Sequence, residues 1–245
     1  WSGSSSNTFQ DVANWAPLDV PGELDTASFG ISGVLDINST GNILIDSFNI
    51  SEGIVKLDLG GNYILFRNTI DSIRIGRYGV PASLEVGNGN VYGSGDIIIS
   101  GEQNKLKIMS NATLQTDRVS ISDRAVLNLA NEVAAEVVNS GGIIDLAGVN
   151  ISGSTIYGNL NIVPNSEDPI LPSEIIFDIA GNTAGVTHDL LSVTQAIDMT
   201  GMTINLRYDE LWTPITGDTF NLIDSVNISG LPKVLFYSGL ADNFG

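Results

Sequence analysis

The sequence predicts an all-β fold, a parallel β-solenoid with an aromatic N-terminal cap and a β-rich C-terminal cap. Three observations predict it. The first is a recurring apolar–polar–apolar triplet, Leu84-Glu85-Val86, Leu106-Lys107-Ile108 and Leu127-Asn128-Leu129, whose first residues step by 22 and then 21. Ile43-Leu44-Ile45 and Ile64-Leu65-Phe66 read as its upstream members, and Ile144-Asp145-Leu146 as a downstream one. The second is an interleaved phrase, Ile73-Arg74-Ile75, Ile97-Ile98-Ile99 and Val119-Ser120-Ile121, stepping by 24 and 22. The third is the punctuation between phrases, such as Gly60-Gly61-Asn62, Gly87-Asn88-Gly89-Asn90, Gly93-Ser94-Gly95 and Ser140-Gly141-Gly142. Period-two triplets bury one face of a strand, a fixed longer period marks a coil of strands, and Gly, Asn and Ser suit its corners.

In chain order, residues 1–30 form the N-terminal cap. A coil has an open end whose core must be covered, and Trp1, Trp15 and Phe29 are placed to cover it; an aromatic platform for sugars is the rival reading. Residues 31–163 form the solenoid, about six rungs and about 25–30 Å long at the spacing of paired strands, right-handed by the rule for parallel crossovers. The segment 129–138 holds good helix formers, yet strand phrases flank it on both sides, so it reads as a rung. The acidic, Pro-rich run Pro164-Asn165-Ser166-Glu167-Asp168-Pro169-Ile170-Leu171-Pro172 marks the best internal boundary. Beyond it the short period is lost, and 164–245 reads as a C-terminal cap. Its longer strands at 174–180, 203–208, 219–223 and 234–237 are expected to pair partly antiparallel, with Trp212 and Pro214 in a connecting loop.

Composition limits the function classes. An apolar fraction of 42% over 245 residues supplies a core, so the chain is not disordered. No apolar run reaches the length of about 18 residues that spans a bilayer. A net charge of −18 opposes nucleic acid and anionic membrane; it keeps neighbouring molecules apart and leaves Ca²⁺ as a conceivable partner. Cysteine is absent, which removes disulfides and thiolate metal sites. The chain opens on Trp1 with no Met and no signal-peptide pattern, so a processed product is expected.

The pattern Asn14-Trp15, Pro21-Gly22, Asp25-Thr26-Ala27 and Phe29 resembles the opening of passenger-type β-helices in autotransporter-like and PEP-CTERM-type exported bacterial proteins. His188-Asp189-Leu190-Leu191-Ser192-Val193 resembles a phrase of the same proteins, as does Gly217-Asp218-Thr219-Phe220-Asn221-Leu222-Ile223 followed by Ser229-Gly230. The resemblance implies an exported β-solenoid and no particular activity. Neither a membrane β-barrel nor a Pro-Glu-Pro tail is legible in these residues, which leaves the export route open.

Catalytic motifs are not evident, and no catalytic, cofactor-binding or metal residue is assigned; the chain is expected not to be an enzyme. His188 is the sole histidine. Its neighbour Asp189 points the other way along a strand, and no nucleophile elbow accompanies Ser192. Asp58, Glu85, Asp117, Asp123 and Asp145 are the solvent-facing acids from which a glycosidase or lyase pair would be drawn; an inverting pair needs about 6.5–9.5 Å between carboxyl groups. Lys105, Lys107, Arg118 and Arg124 group with Asp117 and Asp123 as mixed surface charge. Zinc ligands, an EF-hand and Gly/Asp-rich Ca²⁺ repeats are all missing. N-glycosylation sequons fall at Asn38, Asn49, Asn111, Asn150 and Asn227.

The function expected from these readings is a secreted structural protein of the cell surface or extracellular matrix, self-associating end to end into filaments. The alternative is an adhesin that binds glycans through Tyr63, Tyr78, Tyr92 and Tyr157; a polysaccharide lyase or hydrolase ranks third.

Overall fold

The structure is a computed structural model that describes residues 1, 6–76, 79–146, 153–163, 171–209, 212 and 215–238. The boundary run 164–170, Pro214, Tyr78 and Asn150, each given a role by the sequence, lie outside the described residues.

Every pairing between strands is parallel, and each turn of the chain lays one segment on each of three faces. Face I stacks β2 (Ile43–Ile45), β4 (Tyr63–Phe66), β7 (Gly89–Tyr92), the first halves of β10 (Ala112–Ser122) and β12 (Glu132–Ser140), then β14 (Gly153–Ile156) and the first halves of β17 (Leu190–Asp198) and β19 (Ile223–Ser229). Face II begins with the first halves of β1 (Thr26–Asn38) and β3 (Ser47–Asp58), followed by β5 (Asp71–Ile75) and β8 (Asp96–Ser100). It continues through the second halves of β10 and β12, β15 (Leu160–Ile162), and the second halves of β17 and β19. Face III takes the second halves of β1 and β3, then β6 (Ala82–Gly87), β9 (Lys105–Ile108), β11 (Val126–Leu129) and β13 (Ile143–Leu146). It ends in β16 (Ser173–Ile179), β18 (Met202–Tyr208) and β20 (Lys233–Ser238).

The reason these segments stack is visible in register. On face III, Leu35, Val55, Leu84, Leu106, Leu127, Ile144, Ile175, Ile204 and Val234 form one unbroken inward ladder. Face II has its own, Ala27, Phe48, Ile73, Ile97, Val119, Val137, Leu160, Ile197 and Ile228. Face I supplies Ile43, Ile64, Val91, Leu114, Val133, Ile156 and Val193. All three meet in one apolar core, where each fully buried Val, Leu, Ile or Phe contributes about 1.5–3 kcal/mol. Nine levels at about 4.8 Å make a rod about 38 Å long.

Three expectations change. The triplets at Ile43 and Ile64 belong to face I, not to the face carrying Leu84; the same apolar–polar–apolar phrase serves all three faces, so spacing alone mixes them. The described levels number nine on face III rather than about six, since 34–38, 53–58 and three later strands join the ladder. The antiparallel pairing expected past residue 173 does not form there: β16 to β20 continue the parallel columns, with Ile179–His188 an isolated antiparallel bridge. Insertions lengthen the face III step to 31, 29 and 30 residues (144 to 175, 204 and 234) without altering register. Segment 129–138 forms no helix: Leu129 ends β11, 130–131 turn the corner, and 132–138 lie in β12, whose burial alternates as a rung requires.

Buried asparagines stitch the corners. Asn104 accepts from the Ala82 N–H at 2.7 Å, one turn away, and donates to the Ser100 carbonyl. Gly76 makes room for it: at φ 104° it has no Cβ, which would otherwise stand 2.2 Å from the Asn104 amide nitrogen. Asn104→Ala leaves both backbone groups unpaired in a buried corner. The expected cost is about 1–3 kcal/mol, read as a lower urea midpoint at unchanged m value.

Candidate functional site

The N-terminal cap is built by packing aromatic rings. Trp15 meets Trp1 edge-on at 4.8 Å, Phe9 at 4.9 Å and Phe29 at 5.9 Å. The cluster runs into the rod through Phe29–Phe48 at 5.4 Å and Phe48–Phe66 at 5.1 Å. Asp11 caps the 3₁₀ turn Val12–Asn14, and buried Asn14 donates to Thr8 O at 3.0 Å and Ser6 Oγ at 3.1 Å. Phe9 N–H donates to Asn38 O and Asn38 N–H to Asn7 O, so the cap also seals part of the β1 edge. Trp15 is 3% exposed and donates its indole N–H to Phe9 O at 2.8 Å. Its ring faces therefore pack inside the cap and cannot stack on a sugar.

At the opposite end the described ladders stop on half-covered residues. Ile228 is 49% exposed and Val234 43%, whereas the ladder neighbours beneath them, Ile197 and Ile204, are buried. Val226, Leu231 and Ile215 are also exposed near this end, and Val12, Leu18, Leu24 and Val34 near the other.

The acids named from sequence are scattered. Glu85 and Asp145 do share an outward column of face III, Asp36–Lys56–Glu85–Lys107–Asn128–Asp145. They stand three levels apart, about 14 Å, beyond the range of an inverting pair. Asp58 accepts from Gly60 N–H and from the Asn88 amide, and Asp123 accepts from Ser100 and Ser122 hydroxyls. Asp117 lies at the corner between faces I and II. The expected grouping of cations with Asp117 and Asp123 is not what forms, because the outward columns bring other acids closer. Arg118 pairs with Glu136 at 2.9 Å and Asp96 at 3.7 Å, and Arg124 with Glu174 at 3.6 Å. Lys105 and Lys107 lie on face III.

His188 is buried with Nδ1 3.0 Å from Gly181 O, Nε2 3.2 Å from Asn221 O and its ring edge-on to Phe220. Asp189 is bound elsewhere, accepting from Asp178 N–H at 2.7 Å. Among the described residues no three His, Cys, Asp or Glu side chains converge as metal ligands, and no helix is long and apolar enough to cross a membrane. Of the sequons, Asn38, Asn111 and Asn227 are exposed and Asn49 is half-buried.

Sequence reasoning missed a buried ionic cluster on the outer side of face III. Arg207 sits opposite Asp178 in register and grips it with two hydrogen bonds, at 2.6 and 2.9 Å. The same guanidinium reaches Asp145 at 2.7 Å. Beside them Asn205 donates to Glu174 at 2.6 Å. Asp178 is 1% exposed. Burial pushes Asp178 up to about 6 despite Arg207, the Asp145 carboxylate adding a little, and burial likewise raises Asp145 against the pull of Arg207 and Lys105. The signal that could have revealed the cluster is the 29-residue step from Asp178 to Arg207, which is readable only once 173–179 and 202–208 are taken as successive levels.

Comparison with family models, curated proteins and solved structures finds no match.

Two outcomes follow for the cluster. Arg207→Met strands two buried carboxylates and is expected to cost about 3–5 kcal/mol in chemical denaturation. A carboxyl whose folded pKa is raised takes up a proton on folding, so its contribution to stability falls as pH rises from its ordinary value toward 6. Wild type should therefore gain stability over Asp178→Asn as pH drops from about 7 to about 5; urea midpoints at both pH values check the sign.

Proposed function

We propose that the chain is a rigid structural module of the cell surface or extracellular matrix, extended by end-to-end contact between copies. The observation that carries this reading is the last described level, where Ile228 and Val234 are about half exposed while the preceding rungs of both ladders are buried. A second copy is the occupant that fits, because the far end of the same rod presents exposed Val12, Leu18 and Leu24 beside the acidic Asp11, Asp19 and Glu23. The last described level carries the exposed cation Lys233 together with the exposed Asp224. Such a contact joins unlike ends, so it propagates as a filament rather than closing a dimer. Support for export comes from the resemblance of Asn14, Trp15 and Phe29 to the opening of exported passenger β-helices, the same residues that build or adjoin the cap.

Electron microscopy and light scattering on the intact chain test this. Concentration-dependent filaments with an axial repeat of at least nine strand spacings, about 43 Å, are expected. Val226→Asp with Leu231→Asp, both at exposed positions, should abolish them without lowering the thermal midpoint. Single short rods at every concentration would end the proposal.

A further inference from the structure

The corner between faces I and II shortens along the rod, and this makes a notch. Between the inward residues Leu114 and Val119 stand Gln115, Thr116, Asp117 and Arg118; one level on, between Val133 and Val137, stand only Ala134, Ala135 and Glu136. The register shift between Gln115 and Arg118 records the missing residue. A wide corner bearing Asp117 is thus followed by a tight one in which Ala135 is buried in the core and the half-buried Ala134 is the small outward residue. The next corner, Tyr157-Gly158-Asn159, is drawn in against it: a Cβ on Gly158 would lie 2.1 Å from Ala135 O. The result is a recess of about 330 Å³, floored by Ala134 and Ala135 and walled by Gln115 and Asp117 on one side and Tyr157 and Gln195 on the other.

The recess lies on an outward column of face I that runs Tyr92, Gln115, Ala134, Tyr157. Tyr157 borders the floor directly, and Tyr92 stands on the same column beyond Gln115, three levels or about 14 Å away and outside the recess lining. Tyr157 is 48% exposed and is tethered through its hydroxyl to Glu132 at 3.2 Å, which fixes an open ring at one end. Tyr92 is braced edge-on by Tyr63 at 6.0 Å at the other. Gln115 and Gln195 project exposed planar amides between and beside them. Asp117 adds an exposed carboxylate, while Glu136 is already engaged by Arg118 and Asn161.

We infer that this notch binds a short, uncharged saccharide, independently of any contact at the rod ends. Open aromatic faces match the apolar faces of pyranose rings, and amides with a carboxylate match vicinal hydroxyls, the few polar groups that orient a ligand in a cleft. Polyanionic sugars are disfavoured by Asp117 and by a net charge of −18. The volume sits at the small end of ligand clefts, so it holds one or two rings against Tyr157, and a longer chain would extend past Gln115 toward Tyr92.

The test is isothermal titration of the intact chain with neutral gluco-, manno- and N-acetylglucosamine oligosaccharides, with polygalacturonate as the charged comparison. Saturable binding of a neutral series is expected. It should weaken about tenfold in Tyr157→Ala, the loss of one ring contact, and vanish in Ala134→Trp, which fills the floor. Thermal midpoints of both variants should stay at the wild-type value, since both positions face outward. The inference is overturned if no neutral oligosaccharide binds, if polygalacturonate binds more tightly, or if binding survives Ala134→Trp.

Discussion

Everything in this rod depends on the in-register parallel ladder. Because each level repeats the backbone of the one below about 4.8 Å away, a side chain's nearest neighbours are the residues at the same column position. Inside, that rule favours likeness: isoleucine over isoleucine over valine packs without gaps along Ile73, Ile97 and Val119. Outside, it penalises likeness, since equal charges directly opposite repel. The face III column answers with alternating sign, Asp36, Lys56, Glu85, Lys107, and a neutral Asn128 before Asp145. The same rule binds Arg118 between Asp96 and Glu136 on face II. In a chain of charge −18, Lys56 and Arg118 each separate two acids within a column.

A ladder has two ends, and the described residues treat them differently. At the first, an aromatic cluster centred on Trp15 closes the core, and 7–9 hydrogen-bond to the last residue of β1. At the other, the inward columns run out on half-exposed Ile228 and Val234. Between the ends, corners vary freely in length because register is held by the flanking strands. That freedom produces both the insertions between later levels and the notch beside Tyr157, so irregular corners on a regular rod are where surface function can be placed.

The fold class was legible because triplets at Leu84, Leu106, Leu127 and Ile144 really do occupy one column, as do those at Ile73, Ile97 and Val119. What sequence could not separate was the face to which a triplet belongs: Ile43 and Ile64 obey the same alternation and the same step while lying on another side. Continuity past Ile144 was hidden for a different reason. A period is readable only while corners stay equal, and from Ile144 to Ile175 the step grows to 31. The Arg207–Asp178–Asp145 cluster and the notch both follow from register across unequal corners, so their residues carry no local motif. The cap was legible from Trp1 and Trp15 because ring-rich ends are rare in repetitive strands; Phe9, equally buried in it, passed unnoticed.

The most direct measurement is a single distance. An outward column of face III runs from Val34 through Ile54, Ser83, Lys105, Val126, Ile143, Glu174 and Thr203 to Lys233, both ends exposed. The chain has no cysteine, so Val34→Cys with Lys233→Cys takes spin labels at those two positions alone. Pulsed electron paramagnetic resonance on this variant, diluted in unlabelled chain, should give one narrow distribution near 38 Å, eight steps of about 4.8 Å. A distance below about 25 Å, or a broad distribution, would mean that 173–238 does not extend the ladder and would contradict the continuous nine-level rod.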